Sequence, residues 1–507
     1  MANNENIDIV LQSQDINDKI FAQTMYLKDD INSIRCAKQL AGRGSLELDD
    51  VSHLAHCTIA SRYKPYISTL HQYTKSNITG GSQFGTTIDI DLKSSGSDFT
   101  GDTVIILELE QVSINTSNVL YKFIDFPGVR IFKEVRFLIN GQIKDKYTYQ
   151  NVMDIYNNEL TSNQKIAFER CVGQQQPRQA KYHNEDLNIQ QAFTIYDGLQ
   201  TYKKNHSDIT FVIPIWFFFC RNPSTPINNH HVSDKNTSIQ IVLAEREEFI
   251  NLLDSSNNPV NYVDGGPSTL RLVHITTLSR SIWLDNSLVN IFNHTGKTLI
   301  RSWGHQEYIV STNSGSVDLN IIRFPVDRLY IRFVPIVNTD LKNIINRDFV
   351  FSNWHKASFL TQKTVLIPHF QVSGPTLVAR SAIYYEETEP VHHMRLQIDQ
   401  VNYLGDDVPG KLLSAYTSLY TNGSNSVGPI TNSYMISFDS DSEYAKSNKA
   451  SGYIDFTNLS AKFLHWESNI INKNNPVKIQ ISWRYLNFIW PKSDGNIEFM
   501  FVSSQNN

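Results

Sequence analysis

The sequence has little of what catalytic, secreted or membrane-spanning chains usually display. Among 507 residues there are four cysteines, Cys36, Cys57, Cys171 and Cys220, with no CxxC pair, so neither a disulfide framework nor a zinc framework is indicated. Charged residues make up 19%, against about 25% in an average soluble protein. With 40% hydrophobic and 11% aromatic residues, disorder through excess charge is excluded. The formal net charge of -5 gives no global attraction to phosphate backbones or anionic lipid, and direct nucleic-acid binding is not expected. The longest apolar run, FVIPIWFFFC from Phe211 to Cys220, is interrupted by Pro214 and is about half the length a spanning helix needs. It reads as a buried strand. The N-terminus, MANNENIDIV, is polar and acidic where a secretory signal would be basic and then apolar, so the expectation is a chain made and kept in the cytosol.

Motifs of chemistry are missing too. His294 to Thr298 ends like a phosphate-binding loop, but Ile291 stands where that loop needs glycine. Gly80 to Gly85 fails the dinucleotide spacing, and Phe84 replaces the second glycine of a nucleophile elbow. His53, His56 and Cys57 have no partner pair at zinc-like spacing. The pairs His230-His231 and His392-His393 would point to opposite faces of a strand. Asp439, Asp441 and Glu443 share a face in an extended segment, yet Tyr444 replaces the glycine of a calcium loop. No catalytic, cofactor-binding or metal-binding residue is assigned, and the aromatic runs read as core. Two readings of other classes stay open: a carbohydrate- or receptor-binding β protein, and a hydrolase on a sandwich scaffold.

What the sequence does have is alternation. Val104 to Val112 (VIILELEQV), Met394 to Val401 (MRLQIDQV) and Val477 to Tyr485 (VKIQISWRY) alternate apolar and polar residues, as strands with one buried face do. Asn140-Gly141, inside VRFLINGQIKDKYT, tolerates the positive φ of a type I′ hairpin. Helical spacing is confined to Asp15–Leu40, to Tyr149–Val172 with a capping box at Thr161 and Gln164, and to Asp285–Phe292. An all-β body of this length exceeds the roughly 150–250 residues of one sandwich. The expected organisation is an arm over residues 1–50 and two halves, 51–257 and 258–507, divided in the loop Ser255–Ser268.

Asp125 to Thr148 resembles the major capsid proteins of large nucleocytoplasmic DNA viruses, of the asfarvirus-like kind. Their first domain carries a Phe/Tyr-Pro-Gly-x-Arg segment leading into a Val-x-Phe-x-Ile/Val-Asn-Gly hairpin. Here these are Phe126, Pro127, Gly128 and Arg130, then Val135, Phe137, Asn140 and Gly141. Further similar pieces follow in the same order: Asp18 to Gln23, His53 to Tyr66, Val172 to Gln174, the FVIPIWFFFCRN strand, Asp348 to Lys356, and Ser442 to Ser468. In the last piece the family's proline is replaced by Ala450, and the region from Val104 to Asp125 is shorter, which implies a smaller outward tower.

The resemblance implies a double jelly roll, two eight-stranded antiparallel sandwiches side by side, with three copies forming a pseudo-hexagonal capsomer. It implies no enzymatic activity. The implied partners are two further copies, neighbouring capsomers, minor capsid and penton proteins, and inner viral membrane proteins reached by the arm. The implied location is the virion capsid, assembled at viral factories in host cytoplasm. Pro127 and Gly128 would set the turn before the hairpin, and Arg130, if buried, would hold a carboxylate or carbonyls. A membrane-templating scaffold of the same fold is the nearest rival.

Overall fold

The computed structural model describes residues 69–501 apart from gaps of one to four residues and the stretches 110–118, 261–271, 285–297, 340–350, 371–376, 417–431, 439–451 and 492–496. The arm, His53, His56, Cys57, the Asp285–Phe292 helix and the Asp439, Asp441, Glu443 trio lie outside the described residues. Leu70–Asn507 form one compact unit.

Eight of the fourteen described strands up to Leu284 make the framework of the first half: β1 (Thr69–Ser76), β2 (Thr87–Asp91), β3 (Phe99–Leu109), β4 (Phe132–Ile139), β5 (Gln142–Thr148), β6 (Ile209–Pro214), β7 (Thr237–Leu243) and β8 (Leu272–Leu284). Hydrogen bonding orders them as β1-β8-β3-β6 in one sheet and β2-β7-β4-β5 in the other. Eight of the thirteen described strands after it make the framework of the second: β9 (Thr298–Val310), β10 (Ser314–Asp318), β11 (Pro325–Pro335), β12 (His393–Ile398), β13 (Val401–Asn402), β14 (Ser433–Ser437), β15 (Lys462–Glu467) and β16 (Val477–Pro491). Their sheets run β9-β16-β11-β14 and β10-β15-β12-β13. Adding eight to every number of the first half gives the second, so the chain is one jelly-roll topology executed twice.

Side-chain alternation explains why these segments pair face to face. β7 buries Thr237, Ile239, Ile241 and Leu243 and turns the residues between them outward. Its partner β4 sets Val135 and Phe137 directly against Ile241 and Ile239. From the opposite sheet β3 and β6 bring Ile105, Leu107 and Leu109 against Ile213, Phe211 and Ile209. These residues belong to one continuous apolar core. A second core holds Leu329, Ile331 and Phe333 of β11 and Ile479, Ile481, Trp483 and Tyr485 of β16. Each such side chain removed from water contributes about 1.5–3 kcal/mol before entropy is counted.

Two expectations change. The boundary at 257/258 falls before β8, which pairs with β3 along its length and belongs to the first roll. The Gly- and Pro-rich loop at 255–268 lies between β7 and β8, after the short strand Ile250–Leu253, because a connection within a sandwich uses the same turn chemistry as one between sandwiches. The passage between rolls instead lies between Leu284 and Thr298. The apolar run from Phe211 is also only half strand: β6 ends at Pro214, and Phe218–Arg221 wind into a helical turn. Proline carries no N–H to continue the ladder, and Phe217, Phe218 and Phe219 all turn into the core around Phe137.

Two helices fill the connection after β5, α1 (Tyr149–Asn158) and α2 (Ser162–Cys171). At the start of α2 the Thr161 N–H donates to Gln164 Oε1 at 2.9 Å and the Gln164 N–H to Thr161 Oγ1 at 3.4 Å, closing the capping box.

Candidate functional site at the seam between the jelly rolls

Phe126 opens the first site in the left-handed region, at φ 50° and ψ 53°. That conformation costs a non-glycine residue about 1–3 kcal/mol, and the surroundings hold it. The Phe126 N–H donates to Gln174 Oε1 at 2.6 Å, its carbonyl accepts from the N–H groups of Val129 and Arg130, and its ring meets Tyr156 edge-on at 5.0 Å. Pro127 then occupies the first helical position, where a missing N–H is harmless. The Gly128 N–H donates to the Val172 carbonyl at 2.9 Å. A Cβ at position 128 would lie 2.9 Å from Val172 Cα, so only glycine allows this approach.

Arg130 is 6% exposed; its Nη2 donates to Glu248 Oε2 at 3.1 Å, and its guanidinium lies 4.2 Å from the centre of the Tyr149 ring. Trp354 Nε1 donates to the Asp125 carbonyl at 2.6 Å, and the Asp125 N–H to the Phe351 carbonyl at 3.0 Å. Segments far apart in sequence, Asp125–Arg130, Val172–Gln174 and Phe351–Trp354, thus converge on one turn. Asn140 and Gly141 sit elsewhere, in the β4–β5 hairpin, at φ 52° and 75°. Asn140 is fastened to the connection before β7 by exchange with the Asn236 backbone at 2.8 and 3.1 Å.

The second site is the seam where α1 and its neighbours meet the sheet β9-β16-β11-β14. Glu159, at the C-terminal cap of α1, accepts from Arg484 Nη1 of β16 at 2.8 Å, Arg221 Nη2 at 2.5 Å and the Tyr330 hydroxyl of β11 at 3.2 Å. Asp327 accepts from Arg484 Nε and Nη2, both at 2.8 Å, and from Arg301 Nε at 3.0 Å. Although burial opposes ionisation, the guanidinium groups of Arg221, Arg484 and Arg328 hold Glu159 down at about 2. Burial dominates at two other seam acids, pushing Asp145 up to about 7 and Asp154 to about 6. Beside this network a cleft of about 410 Å³ opens between α1, α2, the 214–225 segment and β9.

Residues 62–264 match the family described as "Major capsid protein N-terminus". The first roll is thus similar to the N-terminal domain of the major capsid proteins. The chain's fold is that of the Faustovirus major capsid protein, with 16% identity, a TM-score of 0.70, and coverage of 92% of this chain and 98% of that one. The capsid protein of the PBCV-1 virus shares it at 13% identity and a TM-score of 0.60, over 87% of this chain and 99% of that one. No curated protein sequence matches.

His230 meets Asp98 at 2.8 Å, whereas His393 stands at the start of β12, 3.8 Å from Glu467. Among the described residues no group of three or more His, Cys, Asp and Glu has metal-binding geometry. The seam residues Asp327, Arg328, Arg332 and Arg484 escaped sequence reasoning. Their signal was charge inside otherwise apolar strands, VDRLYIRFV and ISWRYLNF, where nothing but a second polar surface can satisfy them.

Proposed function

We propose that the chain is the shell subunit of an icosahedral virion and works as a homotrimer, six jelly rolls in a pseudo-hexagonal capsomer. The observation that carries this reading is the repeated strand order within one chain, joined to the family match over the first roll. Two sandwiches in one chain give three copies a six-part outline, which tiles a curved lattice through contacts weaker than those inside the trimer. The role is structural and passive: the rolls bury their own cores, the flanks bury one another, and the outline sets the lattice.

On this reading the partners are two further copies, neighbouring capsomers, minor capsid and penton proteins, and inner membrane proteins near the arm. Assembly takes place at factories in host cytoplasm, and the product is the virion capsid. Phe126, Pro127, Gly128 and Arg130 shape the turn that lets three separate segments meet, and Asn140 and Gly141 fix the register of the hairpin.

The test is the solution mass of the full-length protein by light scattering, followed by imaging. A stable species near 174 kDa, three times 58.0 kDa, with a hexagonal outline is expected. A monomer near 58.0 kDa that resists association would overturn the capsomer. Presence in mature particles separates a shell subunit from a scaffold that is shed.

A further inference from the structure

The sheet β1-β8-β3-β6 has an apolar outer face. In β3 the alternation lapses at Val104–Leu107, four apolar residues in a row, the pattern of a strand covered on both faces. Ile105 and Leu107 point into the first core, so Val104 and Ile106 point out of it. Leu278 of β8 and Pro214 of β6 flank Val104, and Thr276 and Val212 flank Ile106. Side chains opposed in this way lie about 5 Å apart and make one surface. All six are part-exposed, Val212 by 36%. Polar residues border the patch: His274, Glu108 and Thr210 form the next row on one side, and Arg280 pairs with Asp102 at 2.6 Å on the other. An apolar centre inside a polar rim is the anatomy of a protein interface.

The repeated topology points to what covers it. The equivalent face of the second roll, that of β9-β16-β11-β14, is packed within the chain by the connection between β5 and β6. There Ile155 of α1 joins Trp303, Tyr330 and Met435 in one apolar cluster, and Glu159 pairs with Arg484. Adding eight to those strand numbers makes the connection between β13 and β14 the counterpart cover for the first roll's face. Its described part is apolar and open: Tyr403 is 50% and Leu412 41% exposed, and Val401 at the start of β13 is 60% exposed. One chain thus carries an apolar face on its first roll and the matching apolar cover on its second, and leaves both open to solvent. A second copy brings the two together.

We propose that the outer face of β1-β8-β3-β6 is the docking surface for a second copy of this chain, which presents Tyr403 and Leu412 to it. The contact runs head to tail, first roll to second roll, so it repeats from copy to copy and can close as a ring. Three such contacts alternate with the three seams inside the chains. This rests on the capsomer reading and adds to it which surfaces meet.

The test is light scattering of the full-length native chain beside Val212→Glu and Leu412→Glu, one on each surface. With the native species near 174 kDa, three times 58.0 kDa, each variant should run near 58.0 kDa and keep the native chain's cooperative melting. A carboxylate placed in the centre of an apolar contact is desolvated without a partner, which the free chain avoids. Hydroxyl-radical footprinting of the native protein reads the same surfaces without substitution, should a variant fail to fold. Tyr403 and Tyr453 are 50% and 54% exposed in the chain, so in the native oligomer Tyr403 should be oxidised roughly fivefold more slowly than Tyr453. Folded variants that stay near 174 kDa, or equal oxidation of the two tyrosines, would overturn this surface and leave the trimer standing. A native monomer would overturn both.

Discussion

Replacing Glu159 by glutamine keeps the shape of the seam and removes one charge. The native carboxylate takes hydrogen bonds from Arg484, Arg221 and Tyr330 and is almost wholly buried. A carboxyl held at about 2 against an ordinary 4.5 gains roughly 3 kcal/mol in its ionised form. Removing one partner of a buried ion pair typically costs about 3–5 kcal/mol, because the other charge stays buried and unpaired. The two routes agree near 3 kcal/mol. Glu159→Gln should therefore lose about 3–5 kcal/mol of unfolding free energy at pH 7, measured by denaturant titration followed through tryptophan fluorescence.

The pH dependence adds an independent check. Because the folded-state value is depressed, the stabilisation is fully present above about pH 4.5 and fades as pH falls toward about 2. The gap between native and variant proteins should close over that window. A loss below about 1 kcal/mol at pH 7, or a gap unchanged down to pH 2, would refute the reasoning that this carboxylate ties the rolls together.

Asp145 makes the opposite prediction. Its folded value is raised to about 7 by burial against an ordinary 3.8, so stability is lost as pH rises toward 7. Asp145→Asn, which keeps an oxygen for the Lys146 N–H, should gain on the native protein between pH 5 and pH 8 by at most roughly 4 kcal/mol. A pH-independent difference in thermal unfolding would count against it. Gly128→Ala should cost roughly 1–3 kcal/mol through contact with Val172, visible as a lowered melting temperature, and an unchanged one would mean the turn can shift. On the proposed capsomer reading, deleting Met1–Asp50 should leave the trimer and impair shell assembly, and normal shells seen by electron microscopy would remove the arm from assembly.

Strands were the legible part of the sequence because their signal is local. Period-two alternation in VIILELEQV or VKIQISWRY is written in adjacent residues, and Asn140-Gly141 names its own turn. The capping box of α2 is equally local. The boundary between rolls was not legible, since the loop before β8 and the true passage after it carry the same turn-forming residues. The seam was hidden for a different reason. Arg484 and Asp327 are 157 residues apart, and Arg484 and Glu159 are 325 apart. Only the folded chain shows that charges interrupting separate apolar strands face one another. The convergence of Asp125, Val172 and Trp354 on one turn is likewise a product of topology, although each segment was conspicuous alone.

Antiparallel pairing also sorts the connections by end. In the first roll the segments 110–131, 149–208 and 244–271 leave from one end, and 92–98, 140–141 and 215–236 from the other. The longest of these, with α1, α2 and the hairpin Pro177–Asn184 with Ile189–Tyr196, belongs to the first set, as does the hairpin Phe359–Phe370 with Leu377–Thr388 in the second roll. Lengthening such a connection adds material along the strand axis and none across it. Ornament and footprint are therefore separable: what projects from the ends of the sandwiches can change in length while the cross-section set by the strands stays as it is.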